Sequence, residues 1–126
     1  MKNYKDLYSA AENARLNAYA HYSGFKVGAA LLCTDGTVYT GCNIENSSYP
    51  LTCCAERVAF FKAVSDGKKG FEAIAITGGK ESTDSPCFPC GACRQVMSEF
   101  CGRDFKIVLK DMILTLGEIL PYSFEL

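Results

Sequence analysis

Four residues that could serve one metal ion lie in two short segments of this sequence. Cys54-Ala55-Glu56 supplies a thiol and a carboxyl group, and Pro89-Cys90-Gly91-Ala92-Cys93 supplies two thiols three residues apart. Thiolates are preferred ligands of Zn²⁺, and a catalytic zinc keeps three protein ligands and an open fourth position, whereas a structural zinc usually fills all four. Three cysteines with one nearby acid therefore predict a catalytic zinc centre held by Cys54, Cys90 and Cys93.

Glu56 is predicted to lie beside this metal. It follows Cys54 by two residues, about 200° around a helix, so both side chains cannot ligate from one helical face. A carboxylate near zinc-bound water can take its proton near neutral pH and return that proton to a substrate. Both cysteine segments open predicted helices, whose N-termini stabilise negative charge, and Arg57 can offset more of the charge of three thiolates.

Periodicity and turn residues predict the elements that must position these groups. Asp35-Gly36 is a hairpin turn signal, and Thr115-Leu116-Gly117-Glu118 reads as a capping box that opens a helix ended by Pro121. The predicted helices otherwise span residues 4–20, with Asn3 as N-cap, 54–64 and 90–100; the predicted strands span 25–32, 37–42, 71–77, 105–109 and 113–114. This alternation predicts an α/β fold, a three-layer α/β/α sandwich around a mixed sheet of about five strands.

Composition points to one domain, residues 1–126, that acts on a small molecule. A hydrophobic content of 48% suits a single packed core, and 14 acidic against 13 basic residues, with no Lys/Arg-rich stretch, argue against a nucleic-acid partner. The longest apolar run, residues 27–33, is too short to span a bilayer, so no membrane association is expected. Without an apolar leader we expect a cytoplasmic protein whose eight cysteines stay reduced.

Three segments together resemble the cytidine deaminase family, in its short homotetrameric branch. They are Gly41-Cys42-Asn43-Ile44-Glu45-Asn46, Cys54-Ala55-Glu56-Arg57 and Pro89-Cys90-Gly91-Ala92-Cys93-Arg94-Gln95-Val96. The resemblance covers about residues 7–124 and includes Tyr22-Ser23-Gly24-Phe25-Lys26-Val27-Gly28-Ala29-Ala30. It implies zinc-dependent hydrolytic deamination of cytidine and deoxycytidine to uridine, deoxyuridine and ammonia, a step of pyrimidine salvage.

The resemblance also assigns roles residue by residue. One Zn²⁺ per chain is held by Cys54, Cys90 and Cys93; zinc-bound hydroxide attacks C4, and Glu56 passes protons to N3 and the leaving amine. Arg57 donates to thiolate sulfur. Asn43 and Glu45, which share one face because strand side chains alternate, bind the ribose hydroxyls. The remaining assignments are Phe25 against the pyrimidine ring, Ala55 in the substrate site, and Phe124 capping the site of a neighbouring subunit in a homotetramer.

Several alternatives stay open at the level of sequence. Cys87-Phe88-Pro89-Cys90 is a second, overlapping CxxC, so Cys87 and Cys90 could form the ligand pair. A structural zinc site could draw four ligands from Cys53, Cys54, Cys87, Cys90 and Cys93, and Cys90 with Cys93 could be a redox pair. An aminonucleoside-antibiotic deaminase is the alternative enzyme. The cysteines outside the predicted trio are interpreted as buried apolar residues or as bystanders with no role in metal binding, and His21 as a loop residue.

Overall fold

The chain forms one five-stranded sheet with helices on both faces. The computed structural model describes residues 4–126. The sheet order is β2-β1-β3-β4-β5, with β3 and β4 parallel and the other neighbours antiparallel. In chain order the elements are α1 (Lys5–Arg15), β1 (Lys26–Cys33), β2 (Val38–Cys42), a 3₁₀ turn (Tyr49–Leu51), α2 (Ala55–Ser65), β3 (Phe71–Gly79), α3 (Gly91–Phe100), β4 (Lys106–Leu109), β5 (Met112–Thr115) and α4 (Leu116–Ile119).

Strand β1 is buried on both faces, which is what divides the molecule into three layers. Ala29 and Leu31 join one apolar cluster with α2 and α3, whereas Ala30 and Leu32 join a second cluster with α1. Successive strand residues point to opposite faces, so a continuous run of small and branched apolar residues is needed where helices cover both sides. The predicted α/β/α sandwich is confirmed.

Helix α2 approaches the sheet closely at Gly41. A Cβ at this position would lie 2.7 Å from the backbone nitrogen of Ala59 and still closer to the carbonyl oxygen of Ala55. The strand can therefore carry only glycine here without moving the helix. This close approach fixes the N-terminal turn of α2 against β2.

An aromatic cluster holds α3 against α2 on the same face of the sheet. The fully buried Phe60 of α2 stacks on Phe100 of α3, with ring centroids 6.1 Å apart, and contacts Phe71 and Phe105 edge-on or tilted. Such pairs contribute about 0.5–1.5 kcal/mol beyond their buried area. The two helices that begin near the cysteines are thus packed on each other as well as on the sheet.

The structure corrects some predicted bounds. The first helix ends at Arg15 rather than residue 20, because the amides of Asn17 and Ala18 bond three residues back and Tyr19 then pairs with Asn43. Tyr4 stands at its N-cap, and the predicted cap Asn3 lies outside the described residues. Strand β3 extends to Gly79, two residues beyond the predicted end at residue 77.

The C-terminal predictions agree with the structure. The predicted last strand forms at Met112–Thr115 and pairs with β4. Thr115 and Glu118 make the predicted capping box, in which the threonine hydroxyl accepts from the Glu118 amide and the carboxylate accepts from the Thr115 amide. No helix within residues 4–126 has the length and apolarity needed to cross a membrane.

Candidate active site

Three cysteine sulfur atoms converge where helices α2 and α3 begin. The Sγ atoms of Cys54, Cys90 and Cys93 all lie within 4.8 Å of one another, with Cys54 to Cys90 at 3.9 Å and Cys90 to Cys93 at 3.6 Å. Tetrahedral coordination with Zn–S bonds of about 2.3 Å places neighbouring sulfurs roughly 3.8 Å apart. The sulfurs are therefore spaced for one zinc ion and are too far apart for a disulfide.

Two helix N-termini position these thiols. Cys54 is the N-cap of α2 and Cys90 the N-cap of α3, both in extended backbone conformation, while Cys93 lies in the first turn of α3. The first turns are closed by Val58 donating to the Cys54 carbonyl at 3.1 Å and by Arg94 donating to the Cys90 carbonyl at 3.0 Å. The positive ends of both helix dipoles thus face the site and stabilise thiolates there.

Arg57 neutralises part of the thiolate charge. Its Nη2 donates to the Sγ of Cys54 at 3.2 Å. A hydrogen bond from the Cys93 thiol, together with this guanidinium, lowers the pKa of Cys54. The pKa of Cys93 is raised, because its proton is held by the Cys54 sulfur and because the thiol is buried. Zinc binding must displace that proton, so it is coupled to proton release.

Glu56 is a buried carboxyl group beside the cysteines. It is 5% exposed in the second position of α2. Loss of hydration raises the pKa of Glu56 to about 7, and the neighbouring Cys54 thiolate acts in the same direction. A carboxyl group whose pKa lies near neutrality can both accept and donate a proton at physiological pH.

A cavity of about 350 Å³ opens onto the cysteines and Glu56. This volume is at the lower end of the roughly 300–1,000 Å³ that small-molecule sites occupy. Its lining residues are Ser23, Phe25, Val27, Asn43, Glu45, Tyr49, Thr52, Cys54, Ala55, Glu56, Cys87, Phe88 and Cys90. A larger cavity of about 690 Å³ lies against Tyr8 and Met112, and none of the clustered cysteines lines it.

Asn43 and Glu45 are aimed into this cavity by a short bridge of backbone pairing. Ile44, between them, exchanges two hydrogen bonds with Cys53 at 3.0 Å, and Tyr19 pairs with the same segment from the other side. Because side chains alternate, Asn43 and Glu45 are 8% and 4% exposed while Ile44 is 47% exposed. Because Ile44 pairs with Cys53, the residue before Cys54, the bridge holds Asn43 and Glu45 close to the start of α2.

The other predicted residues are distributed as follows. Phe25 and Ala55 line the cavity, whereas Phe124 is 67% exposed and lies beside Gln95, away from the cavity of its own chain. Cys87 lies in the cavity wall and is not one of the three clustered thiols. Of the other cysteines, Cys33 is buried and Cys42, Cys53 and Cys101 are half-buried. His21 is in a loop, stacked on Tyr19.

Sequence reasoning gave no role to Ser23, yet the structure places it in the cavity wall. Its hydroxyl donates to the Glu45 carboxylate and accepts from the Phe25 amide. The available signal was its position two residues before Phe25 in a turn segment, where serine side chains often bond the backbone two residues on.

A carboxyl group poised near neutral pH beside three clustered thiols, in an α/β/α domain, defines a metal-dependent hydrolytic site. Comparison with known proteins gives the same class. The family described as "Cytidine and deoxycytidylate deaminase zinc-binding region" matches residues 1–109. A cytidine deaminase of Sporosarcina psychrophila is 50% identical over 124 residues, 94% of this chain and 89% of the relative.

Solved structures agree with the sequence comparison. The cytidine deaminase of Burkholderia pseudomallei is 47% identical with a TM-score of 0.88, over 94% of this chain and 97% of that one. The enzyme of Mycobacterium tuberculosis is 41% identical with a TM-score of 0.89, over 98% of both chains. This chain belongs to the zinc-binding cytidine and deoxycytidylate deaminase family.

Proposed function

We propose that this protein catalyses the hydrolytic deamination of cytidine and deoxycytidine, giving uridine or deoxyuridine and ammonia. The observation that carries the proposal is one cavity lined by the Glu56 carboxyl group, two of the three clustered thiols, and the polar side chains of Asn43 and Glu45. The first groups suit hydrolysis, and the last two suit the hydroxyl groups of a sugar. A nucleoside whose base carries an amino group matches both sets of residues, because its base can be hydrolysed and its sugar can be bound.

Water replaces the amino group in this reaction, so a C4–O bond forms as the C4–N bond breaks. Cys54, Cys90 and Cys93 would hold a zinc ion, which would supply a Lewis acid that lowers the pKa of water. Glu56 takes one proton from the attacking water and delivers it to N3, then takes the remaining proton from the new C4 hydroxyl and delivers it to the amine, which departs as ammonia. Burial raises the pKa of Glu56 above that of an exposed carboxyl group, which favours a side chain that can both accept and donate a proton.

Asn43 and Glu45 are proposed to bind the ribose, and Phe25 to form the wall against which the base packs. The carboxylate of Glu45 and the amide of Asn43 both retain free hydrogen-bonding capacity after their contacts within the protein. Ala55, in the first turn of α2, lines the cavity beside the cysteines. Buried polar groups of this kind reject analogues that lack the matching hydroxyl.

Arg57 is proposed to tune the metal without touching the substrate. Three thiolates with Zn²⁺ leave a net charge of −1, which weakens the metal as a Lewis acid. The guanidinium bonded to Cys54 withdraws part of that charge.

We further propose a single domain over residues 1–126 that assembles as a homotetramer and serves pyrimidine salvage in the cytoplasm. Exposed aromatic side chains support assembly: Phe88 and Tyr49, which line the cavity, are 52% and 55% exposed, and Phe124, which lies away from it, is 67% exposed. A neighbouring subunit could cover them, with Phe124 capping the adjacent site. Reduced thiols, which zinc binding requires, suit a cytoplasmic location.

The test combines metal content with turnover on one purified sample. We expect about one zinc per chain by mass spectrometry, conversion of cytidine and deoxycytidine followed by absorbance, and parallel loss of metal and activity on treatment with a thiol-directed reagent. Sedimentation velocity on the same sample tests the tetramer. A zinc-loaded protein that converts neither nucleoside would refute the proposed activity.

A further inference from the structure

The Glu45 carboxylate is held by the turn that carries Ser23. Its Oε1 accepts from the backbone amides of Tyr22 and Ser23, at 2.9 and 3.0 Å, and its Oε2 accepts from the Ser23 hydroxyl. The same hydroxyl oxygen accepts from the backbone amide of Phe25 at 2.9 Å. One serine side chain therefore connects the acid and the aromatic wall of the cavity.

The hydrogen bonds within the protein leave the Glu45 carboxylate little capacity for further partners. An ionised carboxylate offers about four acceptor sites, and the protein fills three of them at Glu45, so one remains for a ligand. The hydroxyl of Ser23 has one proton, which it gives to Glu45, while a lone pair takes the Phe25 amide. The direction of the last acceptor site is thus set by the serine.

Asn43 is connected to the same turn. Its Oδ1 accepts from the Val27 amide at 2.9 Å and its Nδ2 donates to the Phe25 carbonyl at 2.8 Å. The backbone on either side of Phe25 is therefore bonded to Asn43, to Ser23 and, through Ser23, to Glu45. The two polar groups and the aromatic wall form one network, so displacing one member displaces the others.

We propose that Ser23 is a positioning residue that aims the Glu45 carboxylate at a sugar hydroxyl, and so helps this site to distinguish nucleosides that carry hydroxyls on the sugar from those that lack them. The inference rests on the proposed function, because it assumes a nucleoside in this cavity. The hydrogen bond that the Ser23 hydroxyl accepts from the Phe25 amide is sufficient to stabilise the turn. The hydrogen bond that it donates to Glu45 is not required for the turn, and its effect is to orient the carboxylate. Ionisation of Glu45 is favoured by the same contacts, since the Ser23 hydrogen bond lowers its pKa.

The experiment compares Ser23→Ala and Ser23→Thr with the wild-type enzyme on cytidine and on 2′,3′-dideoxycytidine, which lacks both hydroxyls. In Ser23→Ala we expect kcat/KM for cytidine to fall about tenfold, through KM with kcat nearly unchanged, because a charge-assisted bond that orients a binding group is lost. For 2′,3′-dideoxycytidine we expect a change of less than about twofold, since Glu45 then has no hydroxyl to bind. Threonine keeps the hydroxyl and should restore most of the discrimination.

A double-mutant cycle with Glu45→Ala isolates the coupling. Once the carboxylate is absent, Ser23→Ala should change kcat/KM for cytidine by less than about twofold, whereas independent effects would multiply. Ser98→Ala is the matched control, because it removes a serine hydrogen bond of 2.7 Å, to the Gln95 carbonyl, outside this network. All variants are checked for zinc content and thermal unfolding.

The possible results separate the two claims. Equal losses on both nucleosides, multiplicative effects in the cycle, or loss of zinc and folding in Ser23→Ala would make the serine a structural residue and overturn the inference, while wild-type turnover of cytidine would still support the proposed function. A wild-type enzyme with no deaminase activity on cytidine would overturn both.

Discussion

Replacing Glu56 with glutamine separates its proton chemistry from its place in the structure. The side chain is 5% exposed, so a residue of the same shape is required to avoid a cavity, and Gln can still hydrogen-bond N3 of a pyrimidine. It cannot accept a proton from water. We therefore expect Glu56→Gln to keep the fold, the zinc and nucleoside binding, and to lose nearly all turnover.

The expected size of the rate loss in Glu56→Gln follows from the lack of another general base in the cavity. A positioned acid/base group contributes about 10²–10⁴-fold to rate. Among the described residues that line the cavity, Glu45 is the other carboxylate, and its contacts to Tyr22 and Ser23 hold it away from this role. Because Glu56 is assigned every proton transfer, we expect a loss near 10⁴-fold, which corresponds to about 5.5 kcal/mol of activation free energy.

The assay measures conversion of cytidine to uridine together with zinc content and the affinity of a competitive inhibitor. Glu12→Gln, an exposed carboxyl on α1, is the matched control and should leave kcat unchanged. Retained turnover in a zinc-loaded Glu56→Gln enzyme, or a loss smaller than tenfold, would refute the assignment of the proton transfers to Glu56.

The same variant has an expected pH signature in the zinc-depleted protein. Burial raises the pKa of Glu56 from its ordinary 4.5 to about 7, so between these values the unfolded chain ionises while the folded protein keeps the proton. Ionisation of this group therefore lowers stability as the pH rises across that window. Urea unfolding at several pH values should show a smaller decline for Glu56→Gln than for wild type, and identical slopes would contradict the buried, protonated state.

Three further predictions concern the metal and its support. Arg57→Ala should keep most of its zinc but lose at least about tenfold in kcat, since the thiolate charge is then uncompensated; wild-type rates would place Arg57 outside the chemistry. Cys93→Ala should lose zinc by mass spectrometry and Cys87→Ala should keep it, and the reverse pattern would make Cys87 the ligand. Gly41→Ala should cost about 1–3 kcal/mol of unfolding free energy and some zinc, because its Cβ would meet the backbone of α2; Gly102→Ala, whose Cβ meets nothing within 4 Å, is the control.

Local sequence was sufficient to predict most elements and their order. The Asp35-Gly36 turn, the capping box at Thr115 and the runs of apolar residues depend on interactions between near neighbours in the chain, so they can be recognised without the tertiary structure. The end of the first helix could not be predicted in this way. Its helical periodicity extends past Arg15, but Tyr19 is drawn into pairing with Asn43, a partner distant in sequence.

By itself the sequence determined the chemistry available: three thiols and an acid at two helix starts, with Asn43 and Glu45 on one face of an extended segment. The tertiary structure decided which thiols meet, because the packing of α2 and α3 on one sheet face brings Cys93, and not Cys87, into the cluster with Cys54 and Cys90. It also decided that Glu56 is buried and that Ser23 reaches Glu45. Burial and hydrogen bonding between distant segments depend on the packing of the whole molecule, so they cannot be predicted from the spacing of residues along the chain.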